Sequence, residues 1–186
     1  MHNSNDLTEE TKESLEIFNG ELLHVFQDTA ILPDGNTSTR EWIKHPGACG
    51  VVPVFENGDI MMIQQFRYPL KEVCWEIPAG KIDPGEDIAI TAERELLEEA
   101  GLRANDLIYI GKFYPCVGYS NEVIHIYAAR KLEITEMNTD HDEFLIRERV
   151  PFTKAMEMID KGEIPDGKTQ ICLLRVWSWW NQEATS

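Results

Sequence analysis

Apolar residues along this chain come in short blocks separated by Gly, Pro, Asn and Asp. Two of the densest, residues 48–55 (ACGVVPVF) and 60–66 (IMMIQQF), flank Glu56-Asn57-Gly58-Asp59. Asn-Gly between β-rich runs is the strongest short hairpin signal, so the pattern predicts two strands joined by a turn. Further strands are predicted over 73–77, 107–114, 122–129 and 144–150. Residues 80–86 (GKIDPGE) read as a loop, since Pro84-Gly85 disfavours regular structure. In 87–100 (DIAITAERELLEEA), Ile88, Thr91/Ala92, Leu96 and Ala100 recur at helical spacing, and Gly101 is a C-terminal stop. Helices are also predicted over 152–161 and from Gly167 to Trp180, the latter after Asp166 as a cap.

Upstream, residues 1–14 are polar and read as a loose tail. Residues 15–44 lean toward β structure, with Asp34-Gly35-Asn36 as a turn between two strands. The body begins near His45-Pro46-Gly47. Strands with three helices, one of them central, and no internal repeats predict an α+β layered sandwich carrying a small antiparallel appendage.

Composition narrows the function classes. The 186 residues are 42% hydrophobic, enough for one self-sufficient core without disulfides or a structural metal. No run approaches the ~18 apolar residues of a membrane span, and the first residues lack the basic start and apolar core of a signal peptide. Lys and Arg number 17 against 33 Asp and Glu, a formal charge of −16, and no basic block is present. Nucleic-acid and anionic-membrane partners are therefore not expected. A chain this acidic needs divalent cations to act on a phosphate compound. The cysteines (Cys49, Cys74, Cys116, Cys172) are far apart with no C-x-x-C, which predicts reduced thiols in a cytoplasmic protein rather than a disulfide frame or a zinc site.

The chemistry concentrates in 80–102. Glu95, Glu98 and Glu99 stand at i, i+3 and i+4 on one side of the predicted helix, with Glu86 at the loop–helix junction. Four like charges this close destabilise a helix unless neutralised, and Arg94, the one cation within 87–100, cannot satisfy every carboxylate. Charge runs usually face solvent. Here the preceding loop, with Gly80 and Pro84-Gly85, can set a backbone carbonyl beside the carboxylates. An all-oxygen cluster of this kind suits Mg²⁺ or Mn²⁺.

Gly80, Glu86, Arg94, Glu95, Leu96, Glu98, Glu99, Gly101 and Leu102 fill every fixed position of G-x5-E-x7-R-E-U-x-E-E-x-G-U, with U aliphatic. On these residues the chain resembles the Nudix hydrolases. Residues 40–48 (REWIKHPGA), 64–69 (QQFRYP), 75–80 (WEIPAG) and 114–125 (YPCVGYSNEVIH) resemble the ADP-ribose pyrophosphatase and nucleoside diphosphate sugar hydrolase branch. The likeness runs over roughly 38–175. It departs at Cys116-Val117-Gly118, where that branch often has Ser-Pro-Gly.

The resemblance implies a Nudix α/β/α sandwich with a mixed sheet over 45–186, and a 15–44 region that crosses to a partner subunit in a homodimer. It implies Glu95 and Glu99 as main metal ligands with the backbone carbonyl of Ala79, and Glu98 binding or bridging a second metal as part of catalysis. Glu86 and Arg94 would hold the loop on the helix, with Gly80 and Gly101 structural. Arg67 is either a surface residue or a bidentate fork for phosphate, the reading its Q-F-R-Y-P setting favours. Arg40 and Trp42 would help grip the nucleobase across the dimer, although Trp42 can equally be core. Glu76 and Glu122, acidic residues among apolar neighbours, must face the cleft, a metal or a salt partner. The acidic loop 138–143 would supply the general base, Glu143 by family position, with His141 the alternative. His24, His45 and His125 read as structural, and Trp177, Trp179 and Trp180 as core or dimer packing. The implied reaction is metal-dependent hydrolysis of a small nucleotide sugar, ADP-ribose first. The alternatives are NADH, a dinucleoside polyphosphate, GDP-mannose, or a non-catalytic nucleotide-sugar sensor.

Overall fold

A computed structural model describes residues 7–136 and 144–183. The chain divides into two compact units: one holds the first 45 residues and 116–122, the other 46–115 and the chain from Val123 onward.

The first unit is an antiparallel sheet of β1 (Glu10–Asn19), β2 (His24–Ile31) and β3 (Thr37–Lys44), in that order. The expected turn is formed: Gly35 takes φ 82°, and the Asp34 carboxylate accepts from the Asn36 backbone N–H at 2.9 Å. Across β2 and β3, Phe26 and Trp42 are register partners and stack with centroids 5.0 Å apart. Two boundaries differ from expectation. β1 begins at Glu10, inside the stretch read as a tail, because 10–14 (ETKES) has no apolar alternation to reveal a strand exposed along its whole length. Residues 116–122 also join this unit, where Ile43 donates to the Tyr119 carbonyl at 2.8 Å and His45 to Asn121 Oδ1 at 2.7 Å.

The second unit contains β4 (Ala48–Pro53), β5 (Asp59–Arg67), β6 (Glu72–Glu76), β7 (Ala79–Lys81), α1 (Ile88–Ala100), β8 (Leu102–Phe113), β9 (Ile124–Ile134), β10 (Leu145–Pro151), α2 (Phe152–Asp160) and α3 (Gly167–Glu183). One sheet has the order β7-β4-β9-β8 and the other β10-β5-β6. β4 runs parallel to β9 and antiparallel to β7, so the sheet is mixed. β4 is buried along its whole length, as a central strand must be. The expected β4–β5 hairpin is only half realised. Its turn closes, with Gly58 at φ 82° and Phe55 donating to the Asp59 carbonyl, but beyond a single bridge at Val54 and Ile60 the strands part into different sheets. Turn chemistry is local, whereas pairing partners are chosen by long-range burial, which a run apolar on both faces does not specify.

α1 packs Ala92, Leu96 and Ala100 with Cys49, Val51, Met61 and Tyr127 in one core. A second core, with Val52, Ile126 and Ala128 from the same sheet, takes Phe152 and Ala155 of α2 and Cys172, Leu173 and Val176 of α3. Trp177, Trp179 and Trp180 pack against this core, Trp177 edge-on to Phe152. The result is the α/β/α layering expected of the sequence. α1 starts at Asp87, whose side chain accepts from the Ala89 N–H, a cap worth about 1 kcal/mol. It stops at Gly101, left-handed at φ 60°. Among the described residues, no helix is long and apolar enough to cross a membrane.

Candidate metal and phosphate site

The site grows from the junction of β7 and α1. Through β4, Gly50 pairs with Ala79 and Cys49 with Gly80, which fixes this short strand beside the helix. A Cβ on Gly80 would overlap the Glu95 carboxylate, so glycine here makes room for an acid. Glu95 and Glu99 are buried, 7% and 3% exposed, on the same helical face as Leu96 and Ala100. The Ala79 backbone N–H donates to Glu99 Oε2 at 2.7 Å.

Arg94 organises the remaining carboxylates. Its Nε and Nη2 donate to Glu86 at 3.1 and 3.0 Å, and its Nη1 to Glu95 at 2.6 Å and Glu98 at 3.1 Å. Nη2 also reaches the Lys81 carbonyl at 3.1 Å, pinning the loop to the helix. By sequence, one arginine cannot satisfy four carboxylates. In the structure it contacts three of the four, and the fourth accepts from backbone, because the loop folds back over the helix and brings Glu86 and the Ala79 peptide into reach. Hydrogen bonds from Arg94 and Thr91 pull the Glu86 carboxyl down to about 2, and those that Arg94 donates to Glu86 hold the guanidinium well above its ordinary value.

Held in this way, no three His, Cys, Asp or Glu side chains among the described residues already converge as a metal-holding group. The donor set still fits a hard cation: two buried carboxylates, a third on the same helix side, and backbone brought close by a glycine. Arg94 holds one oxygen each of Glu95 and Glu98. On β5, Gln65 Oε1 is a buried acceptor with no hydrogen-bond partner among the described residues.

A second constellation flanks the first. Arg67, at the end of β5, donates through Nε and Nη2 to the two oxygens of Glu76, both at 2.5 Å. Glu76 is 1% exposed and also accepts from Lys168 Nζ at 2.8 Å. Lys168 in turn sits 2.9 Å from Asp166 Oδ2. Burial raises the Glu76 carboxyl, but the hydrogen bond from Arg67 and the charge of Lys168 outweigh it and leave it below the usual range. Burial likewise opposes the Lys168 charge, and Glu76 with Asp166 restores it above its usual value. Of the three outcomes open to Glu76, the structure shows salt partners, Arg67 and Lys168. Asp166 caps α3 as expected, accepting from Thr169 N at 2.9 Å and Oγ1 at 2.6 Å. Thr169 Oγ1 also receives the Ile77 N–H, which ties α3 to the segment that ends in Ala79 and Gly80. Lys168 was missed in the sequence. Its one signal was a cation in the first turn of a helix, where the helix dipole favours anions.

The other expected site residues lie elsewhere. Arg40, Trp42 and Glu122 belong to the first unit. Arg40 forms a two-pronged pair with Glu9, Trp42 Nε1 donates to Asp28 Oδ2 at 2.9 Å, and Glu122 stands 3.8 Å from His45. Glu143, His141 and the acidic loop around them lie outside the described residues. The four cysteines are free, and Cys49, Cys74 and Cys172 are buried.

Comparison with known proteins agrees with this geometry. The model of the NUDIX domain matches residues 44–169. An ADP-ribose pyrophosphatase of Bacillus subtilis (strain 168) is 39% identical over 165 residues, covering 88% of this chain and 89% of that protein. A methanol dehydrogenase activator of Bacillus methanolicus is 36% identical over 167 residues, covering 89% and 90%. The fold is similar to the crystal structure of an ADP compounds hydrolase, with a TM-score of 0.83 at 22% identity over 94% of this chain and 95% of that one. With a family model matched across more than half its length, on the very segment that builds the carboxylate site, the chain belongs to the NUDIX family.

Proposed function

We propose that this chain hydrolyses the diphosphate bond of a nucleoside diphosphate sugar, ADP-ribose first among candidates, with Mg²⁺ or Mn²⁺ as cofactor. The products are a nucleoside monophosphate and a sugar phosphate. The observation that carries this reading is the buried Glu95–Glu99 pair set against a strand whose Gly80 has no room for a side chain.

Glu95 and Glu99 would hold the metal with the Ala79 carbonyl, and Glu98 would serve a second. When bound, the metal offsets diphosphate charge and lowers the pKa of the attacking water. With a metal there, Arg94 would give up Glu95 and Glu98 and keep Glu86, so the loop would stay on the helix. Arg67 remains fixed by Glu76 through two of its nitrogens and offers the rest of its fork to a phosphate oxygen. Glu143 accepts the proton of the attacking water.

The protein works as a cytoplasmic homodimer, with Arg40, Trp42 and Glu122 contributing to the nucleotide subsite. Neither nucleic acid nor membrane is a partner. The names of the relatives support a diphosphate-linked nucleotide as substrate, since they include ADP-ribose pyrophosphatases and GDP-mannose pyrophosphatases. A panel of ADP-ribose, GDP-mannose, NADH and a dinucleoside polyphosphate tests the reading. It predicts the highest kcat/KM for ADP-ribose. Preference for another member reassigns the substrate, and tight metal-free binding without turnover makes the protein a sensor.

A further inference from the structure

We infer that Lys168 is a positioning residue for Arg67: by sharing Glu76, it keeps the Arg67 fork available to an anionic diphosphate. This rests on the proposed role of Arg67 in holding phosphate.

The geometry is a chain of four alternating charges. Asp166 Oδ2 and Glu76 Oε2 both receive Lys168 Nζ, at 2.9 and 2.8 Å, and Glu76 then receives Arg67. The Arg67 side chain is 40% exposed, that of Lys168 only 17% and that of Glu76 2%, so the arginine forms the outer end of a buried network. Arg67 engages Glu76 through Nε and Nη2, and Nη1 has no partner among the described residues. The fork thus points one edge at Glu76 and keeps another for a ligand.

Charge balance explains why the lysine matters. The quartet sums to zero, with Arg67 and Lys168 against Glu76 and Asp166. Without Lys168, two carboxylates face one guanidinium, and the net charge becomes −1 where an anionic diphosphate must approach. Glu99 already contributes negative potential at Arg67. A lysine in the first turn of α3 also runs against the helix dipole, so its placement there is explained by Glu76 and Asp166 rather than by the helix. Asp166 is itself anchored as the α3 cap, which fixes the lysine from the far side.

The test is steady-state hydrolysis of ADP-ribose with Mg²⁺ by K168M, K168R, R67Q and R67Q/K168M, with a thermal melt of each. K168M is expected to raise KM about tenfold, with a much smaller change in kcat, in line with the loss of one charge-assisted contact's effect. K168R restores KM, because a guanidinium can bridge the same two carboxylates. R67Q/K168M has the KM of R67Q alone, since the lysine acts through the arginine. A purely structural lysine lowers the melting temperature while leaving KM unmoved, and that result overturns the inference, as do KM effects that multiply in the double variant. If R67Q leaves KM unmoved, the phosphate role of Arg67 is what fails, and the positioning role falls with it. Should K168M not fold, D166N/K168M, which removes one charge of each sign and leaves Glu76 on Arg67, is measured instead. A KM equal to that of D166N then overturns the inference.

Discussion

Gly80 and Glu95 occupy the same space in turn: where a side chain on residue 80 would begin, the carboxylate of residue 95 sits. The acid is thereby buried against backbone, with Arg94 Nη1 2.6 Å from its Oε1. A glycine next to a carboxylate is a geometric requirement here, independent of backbone freedom. G80A should push the Glu95 carboxylate out of its seat and weaken Mg²⁺ binding. Calorimetric titration of Mg²⁺ into wild type and G80A reads this directly. Equal affinity means that Glu95 does not bind the metal from this position.

The proposed ligand Glu99 and the loop-holding Glu86 should separate on substitution. E99Q keeps volume, keeps an acceptor for the Ala79 N–H and removes a ligand charge. Its kcat should fall by several orders of magnitude with little change in melting temperature. E86Q loosens the loop rather than the metal and should be milder in kcat but lower in melting temperature, because Arg94, Thr91 and the Asp83 N–H all converge on Glu86. Equal loss of activity in two equally unfolded variants contradicts the separation.

Acid should destabilise the metal-free protein partly through Glu86. Its carboxyl lies at about 2 when folded against 4.5 ordinarily, so the unfolded chain binds this proton first as pH falls. The stabilisation is complete above 4.5 and is lost as pH drops from there toward 2. Denaturant midpoints of wild type and E86Q, measured in EDTA across this window, should converge as pH falls. Midpoints that stay parallel show that Glu86 gains nothing from Arg94 in the fold.

The general base is placed by resemblance, in the loop 138–143. Removal of a general base typically costs about 10²–10⁴ in rate. E143Q should depress kcat within that range, leave KM nearly unchanged and leave the melting temperature intact, while H141A does much less. A dead H141A with an active E143Q moves the role to the histidine.

The first unit should bring two chains together. Leu15, Ile17 and Phe18 of β1, with Leu22 and Leu23 of the turn that follows it, are 44–63% exposed, more apolar surface than a unit of this size leaves in water without purpose. Light scattering at micromolar concentration should give a dimer mass. A fully active monomer refutes both the dimer and a nucleotide subsite shared through Arg40 and Trp42.

Much of this was legible in one dimension where the physics is local. The limits of α1 follow from Asp87 and Gly101, and the carboxylate face from i, i+3, i+4 spacing. The split of β4 and β5 between two sheets was not legible, because both are apolar on both faces and neither announces its neighbours. Nor was β1 before Leu15, where polar residues pair without burying anything. The site divided the same way. Glu95, Glu98 and Glu99 share one helix and could be read together, whereas Lys168 meets Glu76 across 92 positions and only folding joins them. Arg94 meets Glu98 at i, i+4, which spacing allows, whereas its contact with Glu86 needs the loop to fold back, which the family resemblance implied and spacing alone does not encode.

The proposed reaction is metal-assisted attack of water on a diphosphate. Hydrolysis of ADP-ribose in ¹⁸O-labelled water, with Mg²⁺ and with excess EDTA, tests it most directly. Such attack gives AMP and ribose 5-phosphate, one of them carrying a single ¹⁸O on its phosphate, formed with Mg²⁺ and abolished by EDTA. Full turnover in EDTA, or products without the label, would contradict it.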